Sequence, residues 1–127
     1  MEARLSDGRR GSVTERLCRV DDIPDPGARG FSLPSGDGAV SIFVVRVNGQ
    51  FYGYVNACPH IGTPLEFLPD RFLTRDGTEI LCSTHGARFT IATGFCVAGP
   101  CKGRSLRHVA LRVTEGWLEA ANTADRH

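Results

Sequence analysis

The stretch Ala39-Val-Ser-Ile-Phe-Val-Val-Arg-Val-Asn-Gly-Gln-Phe-Tyr-Gly-Tyr-Val-Asn56 decides the fold. Ala39 to Val47 is rich in β-branched residues and apolar at nearly every position, the pattern of a strand buried on both faces. Asn48-Gly49 supplies two residues that tolerate positive φ, as a tight two-residue hairpin requires. The return strand, Gln50 to Asn56, sets Phe51 and Val55 on one face. The stretch predicts a hairpin with one strand covered on both sides.

Outward from this hairpin the chain keeps the same grammar. Upstream, Leu17-Cys-Arg-Val20 reads as a short strand, closed by Asp21 to Gly27, where two prolines and a glycine forbid continuous strand or helix. Phe31-Ser-Leu33 alternates apolar and polar, and Pro34 to Gly38 reads as a turn. Downstream, Asp76-Gly77 separates Phe72-Leu73 from Ile80-Leu81. Ala92-Thr-Gly94 separates Phe89-Thr-Ile91 from Phe95-Cys-Val97. Leu106 to Val113 places Val109, Leu111 and Val113 on one face, and Glu115-Gly116 turns it back into Trp117-Leu118. No window carries apolar residues at helical spacing over three turns. The fold class is all-β, an antiparallel barrel or sandwich.

A length of 127 residues fits one domain. Residues 1–16 read as a flexible leader, 17–120 as the folded unit and 121–127 as a flexible tail. Fifteen basic residues against fourteen acidic ones leave a net charge of +1. That balance argues against nucleic acid or a membrane surface as partner, since either calls for a concentrated basic face. No segment approaches the ~18–20 apolar residues that span a bilayer. The first ten residues lack the apolar stretch of a signal peptide. A cytoplasmic protein is expected, in which five cysteines (18, 58, 82, 96 and 101) serve as ligands or thiols rather than as a disulfide framework.

Two turns carry unusual residues: Cys58-Pro-His60-Ile-Gly62 and Cys82-Ser-Thr-His85-Gly86, each following a predicted strand. Glycine at these places lets the backbone fold closely around a bound group. Chance proximity explains two matched Cys/His pairs poorly. A structural zinc site could use two thiolates and two imidazoles, but it usually draws both cysteines from one knuckle and both histidines from a helix. An iron–sulfur cluster in which two histidines replace two cysteines on one iron suits one Cys and one His from each of two facing loops.

Cys58-x-His60 followed by Cys82-x-x-His85-Gly86, with Phe89, Gly94 and Gly99-Pro100, resembles the cluster-binding region of Rieske proteins. The resemblance is strongest to the soluble Rieske-type ferredoxins and spans roughly residues 17 to 120. It implies a Rieske-type β-sandwich or barrel with a small subdomain of two loops that binds one 2Fe-2S cluster. Cys58 and Cys82 would hold the inner iron, and His60 and His85 the outer iron near the surface. Gly99-Pro100 would match the proline loop on a third side. The 21 residues between His60 and Cys82 exceed the common family spacing, and the excess is assigned to Leu68–Gly77.

The resemblance also separates subclasses. Where the Rieske proteins of quinol-oxidising complexes carry a disulfide between the loops, this chain has Thr63 and Thr84. Where they carry serine and tyrosine hydroxyls that donate to sulfur, it has Ala87 and Phe89. The implied role is a non-enzymatic one-electron carrier between a reductase and an oxygenase or related redox enzyme. The alternatives are a small subunit of a nitrite-reductase-type complex and a redox- or iron-responsive interaction module. Cys96 and Cys101 bracket the proline loop and are expected as thiols, Cys18 as a small buried residue, and His108 and His127 as structural or solvated. Around the histidines, Pro59 and Ile61 to Leu65 in one loop and Ser83, Thr84, Gly86 and Ala87 in the other read as an uncharged tip completed by Gly99-Pro100, with Arg88, Lys102 and Arg104 as a basic rim that steers an acidic partner.

Overall fold

The computed structural model describes residues 14–35, 38–59, 64–66, 70–83 and 86–121. Ten strands run through them: β1 (Thr14–Arg19), β2 (Gly27–Ser35), β3 (Gly38–Val47), β4 (Gln50–Val55), β5 (Glu79–Leu81), β6 (Arg88–Thr90), β7 (Cys96–Ala98), β8 (His108–Val109), β9 (Leu111–Thr114) and β10 (Trp117–Ala121). They form three antiparallel sheets with orders β9-β10-β1, β2-β3-β4-β8 and β5-β6-β7. Among the described residues the only helical element is a 3-10 turn at Val20–Asp22, and none is long and apolar enough to cross a membrane. The all-β antiparallel class read from the sequence is the observed one.

β3 is the wall shared by the other layers. Ile42, Phe43, Val44 and Val45 are all fully buried. Successive strand residues point to opposite faces, so the even and odd positions enter different cores. Val44 packs with Cys18, Ile23 and Leu118, and Ile42 with Leu33, Val109 and Ala120, both toward the β1/β10 sheet. Phe43 and Val45 pack with Leu65, Phe72, Ile80, Phe89 and the cysteine-bearing loops. A run apolar at every position is thus satisfied because each face meets a separate layer.

The expected β3–β4 hairpin is present, with Val47 opposite Gln50 and positive φ at Asn48 and Gly49. Its turn has a further clamp, since the Asp25 carboxylate accepts from the Asn48 and Gly49 amides at 2.9 and 2.8 Å. The β6–β7 hairpin lies where the sequence places it. The pairing across Asp76-Gly77 is an isolated bridge, Leu73 to Ile80, rather than a ladder. Pro34 is a ladder residue opposite Ala39 rather than part of a turn, so β2 runs longer than the alternation at Phe31–Leu33 predicts. β1 begins at Thr14 and ends at Arg19, where Val20 enters the 3-10 turn.

The strand expected from Leu106 to Val113 is divided. Val109 pairs with Gly53 in the central sheet, Ala110 belongs to no strand, and Leu111 pairs with Ala120 in the outer one. The chain changes sheets there, so Val113 loses the cover that its alternation with Val109 predicts and is 50% exposed.

Tyr54 fastens the hairpin to the small β5-β6-β7 sheet. Its ring is fully buried beside Phe43 and His108, and its hydroxyl donates to the Ile91 carbonyl oxygen. The backbone at Gly94 lies so close that a Cβ there would sit 2.6 Å from the Tyr54 ring. Burial, with Tyr52 adding to it, pushes the phenol up to about 12. On the other side, Phe72 stacks on Phe43 with centroids 4.3 Å apart.

Phe72→Ala should cost ~3–5 kcal/mol in denaturant unfolding, as for a large aromatic removed from a packed core. Tyr54→Phe should cost about 1–3 kcal/mol by leaving the Ile91 carbonyl unpaired. Because the folded phenol titrates above its unfolded counterpart, its contribution is complete below pH ~10 and lost as pH rises toward ~12. Alkaline unfolding of the wild type should therefore show a loss of stability in that window that Tyr54→Phe lacks.

Candidate metal centre

Three loops meet at one end of the β5-β6-β7 layer. The first follows β4 and contains Cys58, the second joins β5 to β6 and contains Cys82, and the third follows β7 and contains Cys101. His60 and His85 lie outside the described residues, as do Ile61, Gly62, Thr63 and Thr84. The two cysteines singled out by the sequence are both brought into one buried cluster, with 1% and 0% exposure, together with Leu65, Ala87, Phe89, Cys96 and Cys101.

Backbone and side-chain hydrogen bonds fasten the loops to one another. Asn56, the only buried polar residue among those described, brackets the first loop. Its Oδ1 accepts from the Leu65 amide at 2.8 Å, and its Nδ2 donates to Glu66 Oε1 at 2.9 Å and Ser41 Oγ at 3.2 Å. The Ser83 amide donates to the Leu65 carbonyl at 2.7 Å, joining the first loop to the second. The second loop closes on itself through Cys82 N to Ala87 O (2.8 Å) and Gly86 N to Cys82 O (2.9 Å). The third loop reaches the first through Arg104 Nη1, which donates to the Pro59 carbonyl at 3.0 Å.

The third loop packs onto the second at Gly99. Its φ of +97° is left-handed, and a Cβ there would lie 2.7 Å from the Ala87 Cα. Only glycine allows both the conformation and the approach. No disulfide joins any of the five cysteines. Cys101 Sγ lies 3.4 Å from Cys96 Sγ and 3.9 Å from Cys58 Sγ. Burial first, then the contact with Cys96, pushes the Cys101 thiol up to about 12. Burial raises the Cys18 thiol as well, away from this site.

The tip expected from the sequence needs correction. Leu65 and Ala87 are fully buried and form its floor, while Pro64, Gly86, Gly99 and Pro100 are exposed. The three rim residues are exposed and differ in their partners. Arg88 lies 3.5 Å from Glu79, and Arg104 is occupied by Pro59, so among the described residues only the Lys102 ammonium of the three has no partner. Within the stretch assigned to the excess spacing, Phe72 is core, and Asp70 Oδ1 accepts from the Gly30 amide at 2.8 Å. The sequence reading missed Asn56 and Tyr54, and it gave Arg104 a rim role without its bond to Pro59. A polar residue at a strand end two positions before Cys58 is the one available signal for Asn56.

The donor set fits a cluster that takes thiolates from two loops. Two thiols are shielded from water on loops held in mutual register, and a Cβ at Gly86 would meet nothing within 4 Å.

Comparison with known proteins follows the same line. The family model of the Rieske [2Fe-2S] domain matches residues 14–115. The ferredoxin component of the p-cumate 2,3-dioxygenase system of Pseudomonas putida is 38% identical over 86 residues, which is 68% of this chain and 67% of that protein. The ferredoxin of carbazole 1,9a-dioxygenase from Nocardioides aromaticivorans IC177 superimposes with a TM-score of 0.69 at 25% identity, covering 87% of this chain and 98% of that one. A chain from the complex of reduced oxygenase and oxidised ferredoxin in carbazole 1,9a-dioxygenase gives a TM-score of 0.68 at 26% identity, covering 87% and 94%.

Gly99→Ala should strain the third loop by roughly 1–3 kcal/mol and loosen it from Ala87. The expected result is faster bleaching of visible absorbance on incubation, against an unchanged far-UV spectrum. Bleaching at the wild-type rate would mean that this approach does not hold the site.

Proposed function

The chain belongs to the Rieske [2Fe-2S] domain family and carries that family's cluster, and from that premise we propose that it is a ferredoxin moving single electrons from a reductase to an oxygenase. The observation that carries the reading is the pair of buried thiols, Cys58 and Cys82, on two loops tied through Ser83 and Leu65. We assign Cys58 and Cys82 to one iron and His60 and His85 to the other, the histidines on the solvent side. When bound, the cluster supplies a one-electron redox centre with two histidine ligands.

The chain's own residues hold that centre still and dry. Leu65, Ala87 and Phe89 exclude water around the two sulfurs. The Asn56 and Arg104 hydrogen bonds fix the loop backbones, so the ligands need move little when an electron arrives. Electrons leave on the histidine side, where exposed Pro64, Gly86, Gly99 and Pro100 offer an uncharged contact. The ferredoxin of carbazole 1,9a-dioxygenase has been solved in complex with its oxygenase, which supports an oxygenase as acceptor here. In this reading the protein works in the cytoplasm and catalyses no reaction by itself.

Purified protein should be red-brown and hold about two irons and two acid-labile sulfides per chain. Cys58→Ala, Cys82→Ala, His60→Ala and His85→Ala should each lose most of that content. Stoichiometric zinc without sulfide would end the reading. Because Ala87 and Phe89 cannot donate through their side chains, the midpoint potential should fall toward the low end of the Rieske range, roughly −150 mV to near 0. Voltammetry giving more than about +200 mV would contradict that account of the site.

A further inference from the structure

The third loop carries a sulfur up to that of Cys58. Cys101 is 1% exposed, and its Sγ has two sulfur neighbours, Cys58 at 3.9 Å and Cys96 at 3.4 Å. The direction of these contacts follows from counting protons. Cys96 Sγ also lies 3.1 Å from the Ala98 carbonyl oxygen, which can only accept. A carbonyl oxygen is a better acceptor than a neutral thiol sulfur, so the Cys96 proton goes to Ala98. Cys96 is also the donor in its contact with Cys101, so the Cys101 proton is left for the contact with Cys58, where either sulfur can donate. Cysteine binds metal as the thiolate, so a ligating Cys58 has no proton, accepts only, and carries more negative charge than the Cys96 thiol.

We infer that Cys101 donates an S–H hydrogen bond to the iron-ligating sulfur of Cys58, making it a residue of the third loop that tunes the cluster's redox potential. The inference rests on the assignment of Cys58 as a ligand. It supplies a side-chain donor to a site where Ala87 and Phe89, both fully buried, have none. A donor on a ligand sulfur stabilises the more electron-rich reduced state and raises the potential. Cys101 thus tunes the centre without touching iron, and Cys96 contributes by directing its own proton elsewhere.

The test compares cluster-loaded wild type with Cys101→Ala and Cys101→Ser, reading iron content and midpoint potential. Cys101→Ala should keep two irons per chain and shift to lower potential, and Cys101→Ser should recover part or all of the shift. Water entering the space left by the smaller side chain would move the potential the other way, because solvent favours the more charged reduced cluster. A fully loaded Cys101→Ala at an unchanged or raised potential therefore overturns the inference. Should Cys101→Ala load poorly, the wild type alone decides through its S–H stretching band in oxidised-minus-reduced infrared spectra. That band should move to lower frequency on reduction, as the ligand sulfur becomes a stronger acceptor, and should vanish in Cys101→Ser. No redox-sensitive S–H band would refute the contact. Cys58→Ala separates the two levels: iron retained there defeats the ligand assignment itself, whereas iron lost there with an unshifted Cys101→Ala defeats only the hydrogen bond.

Discussion

The middle of strand β3, Ile42 to Val45, has no face to give to water, and the rest of the molecule is arranged around that constraint. In most antiparallel sheets one face is solvated, but Ile42 to Val45 are buried without a break. Fully burying one such side chain is worth about 1.5–3 kcal/mol, so both covering layers are strongly held. One is the β9-β10-β1 sheet, which covers Ile42 and Val44. The other is the small β5-β6-β7 sheet with its loops, which covers Phe43 and Val45. The sulfur-bearing loops are therefore half of the roof over the central sheet. Cys58, Cys82, Cys96 and Cys101 share a continuous core with Phe43, Tyr54 and Phe72. Packing and ligand placement are one problem here, and a change that loosens the core moves the site.

Within that core, hydrogen bonds between neutral groups do most of the positioning, with the Glu66 carboxylate accepting from Asn56 beside them. Leu65 receives one partner on each backbone group, the Asn56 side chain at its amide and the Ser83 amide at its carbonyl. The second loop closes through a reciprocal pair between Cys82 and Ala87 with Gly86. Such contacts are not weakened by salt as surface ion pairs are. The one cation that enters the framework, Arg104, binds the Pro59 carbonyl rather than a carboxylate. The loops therefore hold their register over a wide range of ionic strength.

The hairpins were legible because their causes are local, and the Cys–His motifs stand out in the sequence for the same reason. Alternation, β-branching and Asn48-Gly49 act over a few residues, and so do the Cys–His pairs. What the sequence concealed depends on contacts far along the chain. Leu65 and Ala87 look like residues of an uncharged tip, yet they are buried because Asn56, Ser83 and Gly99 draw the loops together. Val113 keeps the alternation of Val109, but the switch of sheets at Ala110 leaves its face uncovered. Phe72 reads both as a strand residue before Asp76-Gly77 and as part of the excess spacing, and its stacking on Phe43 places it in the core. Arg104 reads as a rim charge until its bond to Pro59, 45 residues away, is visible.

The pairing of β1 with β10 has a consequence for the order in which the molecule assembles. Arg19 faces Trp117 and Thr14 faces Ala121, so the outer sheet is closed by the first and last described strands. The small sheet, by contrast, is complete between Glu79 and Ala98. On a ribosome, the platform bearing Cys82 and the third loop can form while β10 is still being made. The even-numbered side of β3 lacks Leu118 and Ala120 until β10 has emerged, leaving Ile42 and Val44 only partly covered in the interval. Long-range closure of this kind slows folding, so this side of the central strand is where a nascent chain has most need of a chaperone.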